Sequence, residues 1–328
     1  MGGPEIIHAP EPPHVTRRAL SIVTSMFESE AFLRDFHRRV SEAALRLTPD
    51  YEIILVNDGS PDDSLRVALD LRAGDPRVRV VDLSRNFGHH KALMTGLTRA
   101  RGDLVFLIDS DLEEDPSWLM SFHDAMTATG ADVIYGVQQS RKGGWFERVT
   151  GALFFQVFNR MLTHPFPANV VTVRLMTRRY VRALIQHRDQ EVCLAGLWMI
   201  TGFDQRPFPV KKLSRATTSY SLSRRVSAFV NAITSFSNRP LIYIFQIGMA
   251  VMVLSVVEGI VLLYLRFSRG VGVPGWASIM VSIWFLGGLT IFCLGVIGVY
   301  LAKVFTETKN RPYTVIREEY GAAEDSAP

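Results

Sequence analysis

Four short apolar runs, each followed by a polar turn and a stretch with helical spacing, occupy the first third of the chain. The runs are Leu20–Thr24, Ile53–Val56, Val78–Leu83 and Leu104–Ile108. Such runs are typical of strands that are buried on both faces of a parallel sheet. Their alternation with helices over short connections predicts right-handed crossovers and an α/β fold with a Rossmann-like, mainly parallel sheet.

Two long apolar segments follow in the last third of the chain. Leu241–Leu265 and Trp276–Ala302 are almost without charge. At about 1.5 Å per residue, each is long enough to cross a hydrocarbon core of ~30 Å. The connection between them is short and Gly-rich, so the pattern predicts a transmembrane hairpin. Basic residues that flank the hairpin outnumber those in the connection, which places both chain ends and the α/β domain in the cytosol.

These patterns divide the chain into five predicted parts. They are a disordered tail at 1–18, an α/β domain at 19–222, an amphipathic juxtamembrane helix at 223–240, two spans at 241–265 and 276–302, and a cytosolic tail at 303–328. The net charge is +4, and basic residues concentrate between Arg206 and Arg239. This placement indicates a membrane surface and not nucleic acid. The two cysteines have no spacing that indicates a disulfide framework or a zinc site.

Acidic residues crowd the end of the fourth apolar run. The stretch Val105–Pro116 reads V-F-L-I-D-S-D-L-E-E-D-P. Carboxylates this close repel one another, and a strand end does not require them. A hard divalent cation, Mg²⁺ or Mn²⁺, would stabilise them and hold the phosphates of a substrate. The alternative is a solvated acidic turn before a helix, but the strand context favours the metal site.

A second polar turn, Asn57-Asp58-Gly59-Ser60, follows the second apolar run. In open α/β sheets, ligands bind at the carboxyl ends of the strands. Two acidic strand ends, each followed by a helix, therefore predict a nucleotide site. One turn would hold the base and ribose, and the other would hold the metal and diphosphate.

The N-D-G-S turn, the D-S-D turn, the L-S-R-N-F-G segment at 83–88 and the paired spans together resemble family 2 glycosyltransferases. The resemblance is to the bacterial polyprenyl-phosphate glycosyltransferases, relatives of dolichol-phosphate mannose synthase, and it extends from about Leu20 to Ile316. It implies a GT-A fold and a metal-dependent, membrane-bound, inverting hexosyltransferase. Such an enzyme moves a sugar from a nucleotide-sugar to polyprenyl (undecaprenyl) phosphate at the inner membrane, for modification of a cell-envelope glycan.

The resemblance also implies roles for residues. Asp58 would contact the base, Asp109 the ribose-diphosphate side, and Asp111 the metal, with Glu113 as a further metal ligand. We predict that the catalytic centre contains Asp109 and Asp111. The residues predicted to bind the nucleotide-sugar are Glu28, Asp58, Ser84, Arg85, Asn86 and Asp109.

Basic residues that could bind the lipid phosphate are spread over three segments of the chain. They are Arg141, Arg174, Lys211, Lys212 and Arg215. The segment at 206–223 is similar to the basic segment of the family. A solvated surface loop accounts equally well for Arg141, and ordinary juxtamembrane charge is the alternative for the last three.

The family often carries an aspartate, the presumed catalytic base, roughly where Thr172 stands. Asp189 and Glu191 are the nearest substitutes along the sequence, and we include them among the candidate catalytic residues. A phosphate acceptor has a second pKa near ~6 and is largely a dianion at neutral pH. Such a nucleophile needs positioning more than proton removal, whereas a hydroxyl acceptor would need the base.

Two other functions are compatible with the same sequence features. One is a glycosyltransferase that acts on a hydroxyl of a lipid-linked saccharide, and the other is a non-catalytic membrane scaffold that binds a nucleotide-sugar. The expected partners are the nucleotide-sugar, polyprenyl phosphate and membrane lipids. Glu258 is costly within a span, and a polar contact in a homo-oligomer would account for it, as would a protonated or snorkelling carboxyl.

Overall fold

The computed structural model describes residues 18–138, 169–212, 239–269 and 275–321. These residues form two compact units. The first contains the described residues up to 212 together with 312–321, and the second contains 239–269 and 275–311. Residues 1–17 of the predicted tail at 1–18, Arg141, Arg215 and most of the predicted juxtamembrane helix lie outside the described residues.

The first unit alternates strands and helices. Its elements are β1 (Arg18–Met26), α1 (Glu30–Leu47), β2 (Tyr51–Asn57), α2 (Ser64–Gly74), β3 (Val78–Leu83), α3 (His89–Arg99), β4 (Gly102–Leu107), α4 (Trp118–Thr129), β5 (Val133–Gln138), β6 (Val170–Thr177), α5 (Arg178–Leu184), α6 (Leu194–Thr201), β7 (Gln205–Val210) and, after the second unit, β8 (Ile316–Tyr320).

These strands form one mixed sheet in the order β7-β5-β6-β4-β1-β2-β3-β8. The pairs β1–β2, β1–β4, β2–β3 and β5–β7 are parallel, whereas β4–β6, β5–β6 and β3–β8 are antiparallel. The prediction of a mainly parallel α/β sheet is confirmed. Because β1, β2, β3 and β4 run in one direction, their carboxyl ends meet at one edge, where the polar turns follow them.

Helices pack on both faces of the central strands, which explains their continuous apolar sequences. Every residue of β2 is buried. On one face Ile53 joins a core that includes Phe36 of α1. On the other face α3 approaches so closely that a Cβ on Gly96 would lie 2.5 Å from a methyl carbon of Val23.

The end of the chain returns to the sheet as strand β8, within the segment predicted as a cytosolic tail. It pairs with β3, and Arg317 forms an ion pair of 3.2 Å with Asp82. Glu319 accepts a hydrogen bond of 2.7 Å from Arg99. The segment at 316–320 is therefore part of the first unit.

The second unit contains two long helices, α7 (Arg239–Arg269) and α8 (Trp276–Thr308). Among the described residues, one segment, Ser282–Thr308, is long and apolar enough to be a candidate membrane span. It overlaps the second predicted span. The first predicted span lies within α7 and stays a prediction.

Candidate active site

The acidic turn follows β4 at the carboxyl edge of the sheet. Ser110 is buried and fixes this turn to the neighbouring strand, because its hydroxyl donates a hydrogen bond of 2.9 Å to the Ser25 carbonyl. Asp111 accepts a hydrogen bond of 2.9 Å from the Glu113 backbone N–H. Leu112 between them has a φ of 59°, so the backbone turns sharply there. Side-chain burial thus alternates along this turn: Ser110 and Leu112 are buried, whereas Asp111 and Glu113 are partly exposed.

Three groups from other elements act on the carboxylate of Asp109. His89 at the start of α3 places Nε2 3.3 Å from Oδ1. Thr172 of β6 and Lys212 after β7 also favour the charged form. Burial alone would raise the pKa of Asp109, but these neighbours together hold it below its ordinary value.

His89 connects this carboxylate to β1. Its Nδ1 lies 2.8 Å from the hydroxyl oxygen of Ser25, while Nε2 faces Asp109. Burial acts to lower the pKa of His89, but the adjacent Asp109 outweighs burial and raises it. His89 has no role predicted from the sequence. Its position directly after the L-S-R-N-F-G segment is the signal that could have drawn attention to it.

Lys212, which was predicted to bind the lipid phosphate, lies among the acidic side chains and is only partly exposed. Its Nζ is 3.1 Å from Oε2 of Glu113, with side chains that are 24% and 21% exposed. Burial would lower the pKa of Lys212, but Glu114, Glu113, Asp109 and Asp111 raise it. The pKa of Asp111 is raised by burial and by the neighbouring carboxylates, against the opposing effects of the Glu113 N–H and Lys212.

Glu114 joins the acidic turn to β6. It is fully buried, and its Oε1 accepts hydrogen bonds from the backbone N–H groups of Thr172 (3.0 Å) and Val173 (3.2 Å). Its Oε2 accepts a bond of 3.3 Å from the Asp109 N–H. Burial and the nearby Asp109 raise its pKa to about 8. Glu114 therefore holds Thr172, the predicted position of the missing base, against the acidic turn.

The N-D-G-S turn packs against the segment that follows β3. Asp58 is 2% exposed and accepts hydrogen bonds from the backbone N–H groups of Phe87 (2.7 Å) and Gly88 (3.0 Å). Burial raises its pKa despite these bonds. Gly59 has a φ of 61°, and a Cβ there would lie 2.5 Å from the carbonyl carbon of Arg85. Asp58 thus fixes the backbone of the segment predicted to bind nucleotide.

A cavity of about 590 Å³ lies beside this turn. The predicted residues Ser84, Arg85 and Asn86 line it together with Ser60 and Arg317. The Ser60 hydroxyl oxygen also accepts a hydrogen bond of 2.7 Å from the backbone N–H of Glu28. The structure thus brings Glu28 next to a residue that lines the cavity.

The remaining predicted lipid-phosphate residues are placed differently from one another. Arg174 is 1% exposed, lies over the Trp198 ring and donates a hydrogen bond of 3.1 Å to the Thr172 carbonyl. Burial lowers its pKa to about 9. Strand β6 turns Arg174 into the protein, where a lipid phosphate cannot reach its guanidinium. This position disagrees with the prediction that Arg174 binds the lipid phosphate. Lys211 is exposed, as a phosphate-binding residue would be.

Asp189 and Glu191 lie on the connection between α5 and α6. Asp189 is partly exposed and Glu191 is exposed. The carbonyl of Val192 on this connection interacts with the His90 ring at the start of α3. The connection therefore meets the helix that begins with His89, and the catalytic roles of the two carboxylates stay predictions.

The acidic turn offers the oxygen donors that Mg²⁺ and Mn²⁺ prefer. Among the described residues, no three His, Cys, Asp or Glu side chains converge as a ready metal site. Oδ1 of Asp109 is buried without an aligned hydrogen bond, although His89 is close to it. This oxygen and the adjacent carboxylates of Asp111 and Glu113 fit a hard cation in chemistry, provided that Lys212 moves from Glu113.

Comparison with known proteins gives the family. The family model described as "Glycosyl transferase family 2" matches residues 21–185. A Mycobacterium tuberculosis (strain CDC 1551 / Oshkosh) protein named among the glycosyltransferases is 51% identical over 304 residues, which are 92% of this chain and 89% of that protein. A prophage-derived bactoprenol glucosyl transferase of Shigella flexneri is 29% identical over 92% of this chain and 98% of its own length.

Among solved structures, glucosyl-3-phosphoglycerate synthase from Mycobacterium tuberculosis is similar to the chain, with 19% identity and a TM-score of 0.45 over 67% of this chain and 81% of that one. The matched family segment runs from β1 to α5 and contains the acidic turn, the N-D-G-S turn, His89 and Thr172. The chain belongs to glycosyl transferase family 2 and is a glycosyltransferase.

Proposed function

We propose that this glycosyltransferase moves a sugar from a nucleotide-sugar to polyprenyl phosphate, with inversion at the anomeric carbon, at the inner membrane. The observation that carries the proposal is the likeness to the bactoprenol glucosyl transferase over 98% of that protein's length. A match of this extent includes the helical unit as well as the sheet. Bactoprenol is a polyprenol, so its phosphate is the acceptor class that this likeness supports.

The donor site is proposed at the carboxyl edge of the sheet. The cavity beside Ser84, Arg85 and Asn86 would take the base and ribose, and Asp109 would face the ribose-diphosphate side. Asp111 and Glu113 would hold Mg²⁺ or Mn²⁺. When bound, this metal would neutralise the charge on the departing nucleoside diphosphate. Asp58 would act by fixing the backbone at Phe87 and Gly88.

The acceptor reacts in a single displacement. An oxygen of the lipid phosphate forms a bond to the anomeric carbon while the bond from that carbon to the diphosphate oxygen breaks. The acceptor is already a dianion at neutral pH, so no proton has to be removed. Lys211, which is exposed, would meet the lipid phosphate together with Arg141 and Arg215.

The connectivity of the sheet supports two membrane crossings. Strands β7 and β8 belong to the same sheet, although the helical unit separates them in the sequence. A chain that leaves a sheet and returns to it must cross any membrane an even number of times. If Ser282–Thr308 crosses, a second crossing is needed, and α7 is a described helix of sufficient length. The sheet and the chain ends would then share the cytosolic side.

The function is tested with membranes that contain the full chain, undecaprenyl phosphate and a panel of labelled nucleotide-sugars. We expect one donor to label a lipid-phosphate product. Asp111→Asn should lower this activity by about 10²-fold or more while the protein stays folded in the membrane, because charge stabilisation of the leaving group is lost.

Other outcomes would change the assignment. Product that appears only after a lipid-linked saccharide is added would identify a hydroxyl acceptor. Binding of a nucleotide-sugar without transfer to any acceptor would indicate a scaffold. Full activity of Asp111→Asn, or of the native chain in excess chelator, would contradict the metal assignment.

A further inference from the structure

Lys212 has a position that the proposed reaction does not explain. It follows β7, the strand that pairs with β5 at the far edge of the sheet, yet its ammonium lies 3.1 Å from Oε2 of Glu113 in the acidic turn after β4. Asp109 and Asp111 act on it as well. Lys211 beside it is exposed. The two adjacent lysines therefore have different surroundings, although the sequence presents them alike.

An ammonium in this position serves as a counter-ion for the carboxylates. The carboxylates of Asp109, Asp111 and Glu113 lie close together along the chain and repel one another. The positive charge of the Lys212 ammonium offsets that repulsion. The pair is mostly withdrawn from water, so it is screened less than a pair on the surface. The lysine stem is flexible, and its compact charge can take the place of a small cation.

Oε2 of Glu113 cannot contact the Lys212 ammonium and bind a metal ion at full strength at the same time. A divalent cation at Asp111 and Glu113 would stand close to the ammonium of Lys212, and the two positive charges would repel. Metal binding therefore requires the ammonium to leave Glu113 or to weaken its contact. The free energy of that contact is subtracted from the affinity of the site for the metal.

We propose that Lys212 is a tethered counter-ion that competes with the divalent metal for Glu113 and thereby sets the metal affinity of the site. This inference rests on the proposed metal-binding role of Asp111 and Glu113. It gives Lys212 a role separate from that of Lys211, which stays with the lipid phosphate.

The experiment measures binding of Mn²⁺ to the purified full chain in detergent, by the electron paramagnetic resonance signal of the free ion. Lys212→Met removes the charge and keeps most of the stem, so we expect the Kd for Mn²⁺ to fall by about tenfold or more. Lys211→Met is the matched control and should leave the Kd unchanged. Lys212→Arg keeps the charge and should bind Mn²⁺ as weakly as the native chain.

A second comparison tests whether Lys212 changes the Mn²⁺ affinity through its contact with Glu113. In a Glu113→Gln background the ammonium has lost its closest carboxylate, so the gain from Lys212→Met should shrink. Thermal unfolding in chelator shows whether each variant is folded, and Lys212→Gln is a second neutral variant if Lys212→Met is not. The measurement reports binding and does not depend on turnover.

Three results would overturn the counter-ion role of Lys212. An unchanged Kd in both neutral variants of Lys212, while Asp111→Asn abolishes Mn²⁺ binding, would overturn the counter-ion role and leave the metal site intact. An equal gain from Lys211→Met would reduce the effect to general surface charge and overturn it too. Absence of Mn²⁺ binding in the native chain and in every Lys212 variant would overturn both the inference and the metal site beneath it.

Discussion

Asp109 keeps its charge because groups from three separate elements favour the ionised form. His89 of α3, Thr172 of β6 and Lys212 after β7 all act on one carboxylate at the end of β4. Thr172 stands roughly where the family resemblance leads us to expect an aspartate. An additional carboxylate at this point would add to the repulsion within the acidic turn, whereas a hydroxyl can donate to Asp109. A threonine in place of an aspartate at position 172 therefore changes the charge of the site more than its shape.

If the acceptor is a phosphate, the candidate bases Asp189 and Glu191 should not be essential for turnover. Asp189→Asn and Glu191→Gln keep the shape of each side chain and remove its basicity. We expect both variants to retain substantial turnover with polyprenyl phosphate, because the dianion brings its own negative oxygen. The measurement is kcat with saturating donor and acceptor.

General-base catalysis typically contributes about 10²–10⁴-fold, so a required base would be evident in that measurement. A loss of this size in either variant, with donor and acceptor binding unchanged, would show that the carboxylate has replaced the missing aspartate. It would also favour a hydroxyl acceptor over the phosphate.

At the scale of elements, the site depends on how closely two turns approach each other. The turn after β2 and the segment after β3 touch at Gly59, where a Cβ would lie 2.5 Å from backbone atoms of Arg85 and Asn86. Neither backbone can yield without moving the hydrogen bonds that Asp58 accepts from Phe87 and Gly88. The geometry of the proposed donor cavity therefore depends on Gly59.

Gly59→Ala tests this dependence. The variant combines a strained left-handed backbone with a steric clash, so we expect a lower melting temperature and an increase of about tenfold or more in the apparent KM for the donor. Gly74→Ala at the end of α2 is the matched control, because a Cβ there meets nothing within 4 Å. Equal donor KM values for the two variants would show that the cavity does not depend on this contact.

Local patterns predicted the elements but not every neighbour in the site. The apolar runs β1 to β4 and the turns after them could be predicted, because period, length and turn chemistry are properties of adjacent residues. The placement of Lys212 could not, since it depends on β7 pairing with β5 across more than sixty residues. The sequence pattern predicts a tail in place of strand β8, because an edge strand with the sequence I-R-E-E-Y has little apolar content.

At the scale of the whole molecule, β8 links the end of α8 to the sheet. Arg317 pairs with Asp82 and donates a hydrogen bond of 2.8 Å to the Ser84 carbonyl, next to the proposed donor cavity. The Val315 carbonyl accepts a bond of 2.9 Å from the Ser84 N–H. The segment that follows α8 therefore contacts the segment proposed to bind the nucleotide. Because β8 follows α8 in the sequence, the sheet is complete only after α8 has been synthesised.

This connectivity predicts the membrane topology. If α7 and α8 both cross, the connection between them faces the outside, while β8 stays with the sheet in the cytosol. The test uses single cysteines in a chain whose native cysteines are replaced by serine (Cys193→Ser, Cys293→Ser). Gly272→Cys should react with an impermeant thiol reagent added to intact cells whose outer envelope is open to the reagent. Arg34→Cys on the exposed face of α1 is the matched control and should react only after lysis. Protection of Gly272→Cys until lysis would contradict the hairpin. An odd number of crossings would put β8 and β3 on opposite sides of the membrane, where they could not pair.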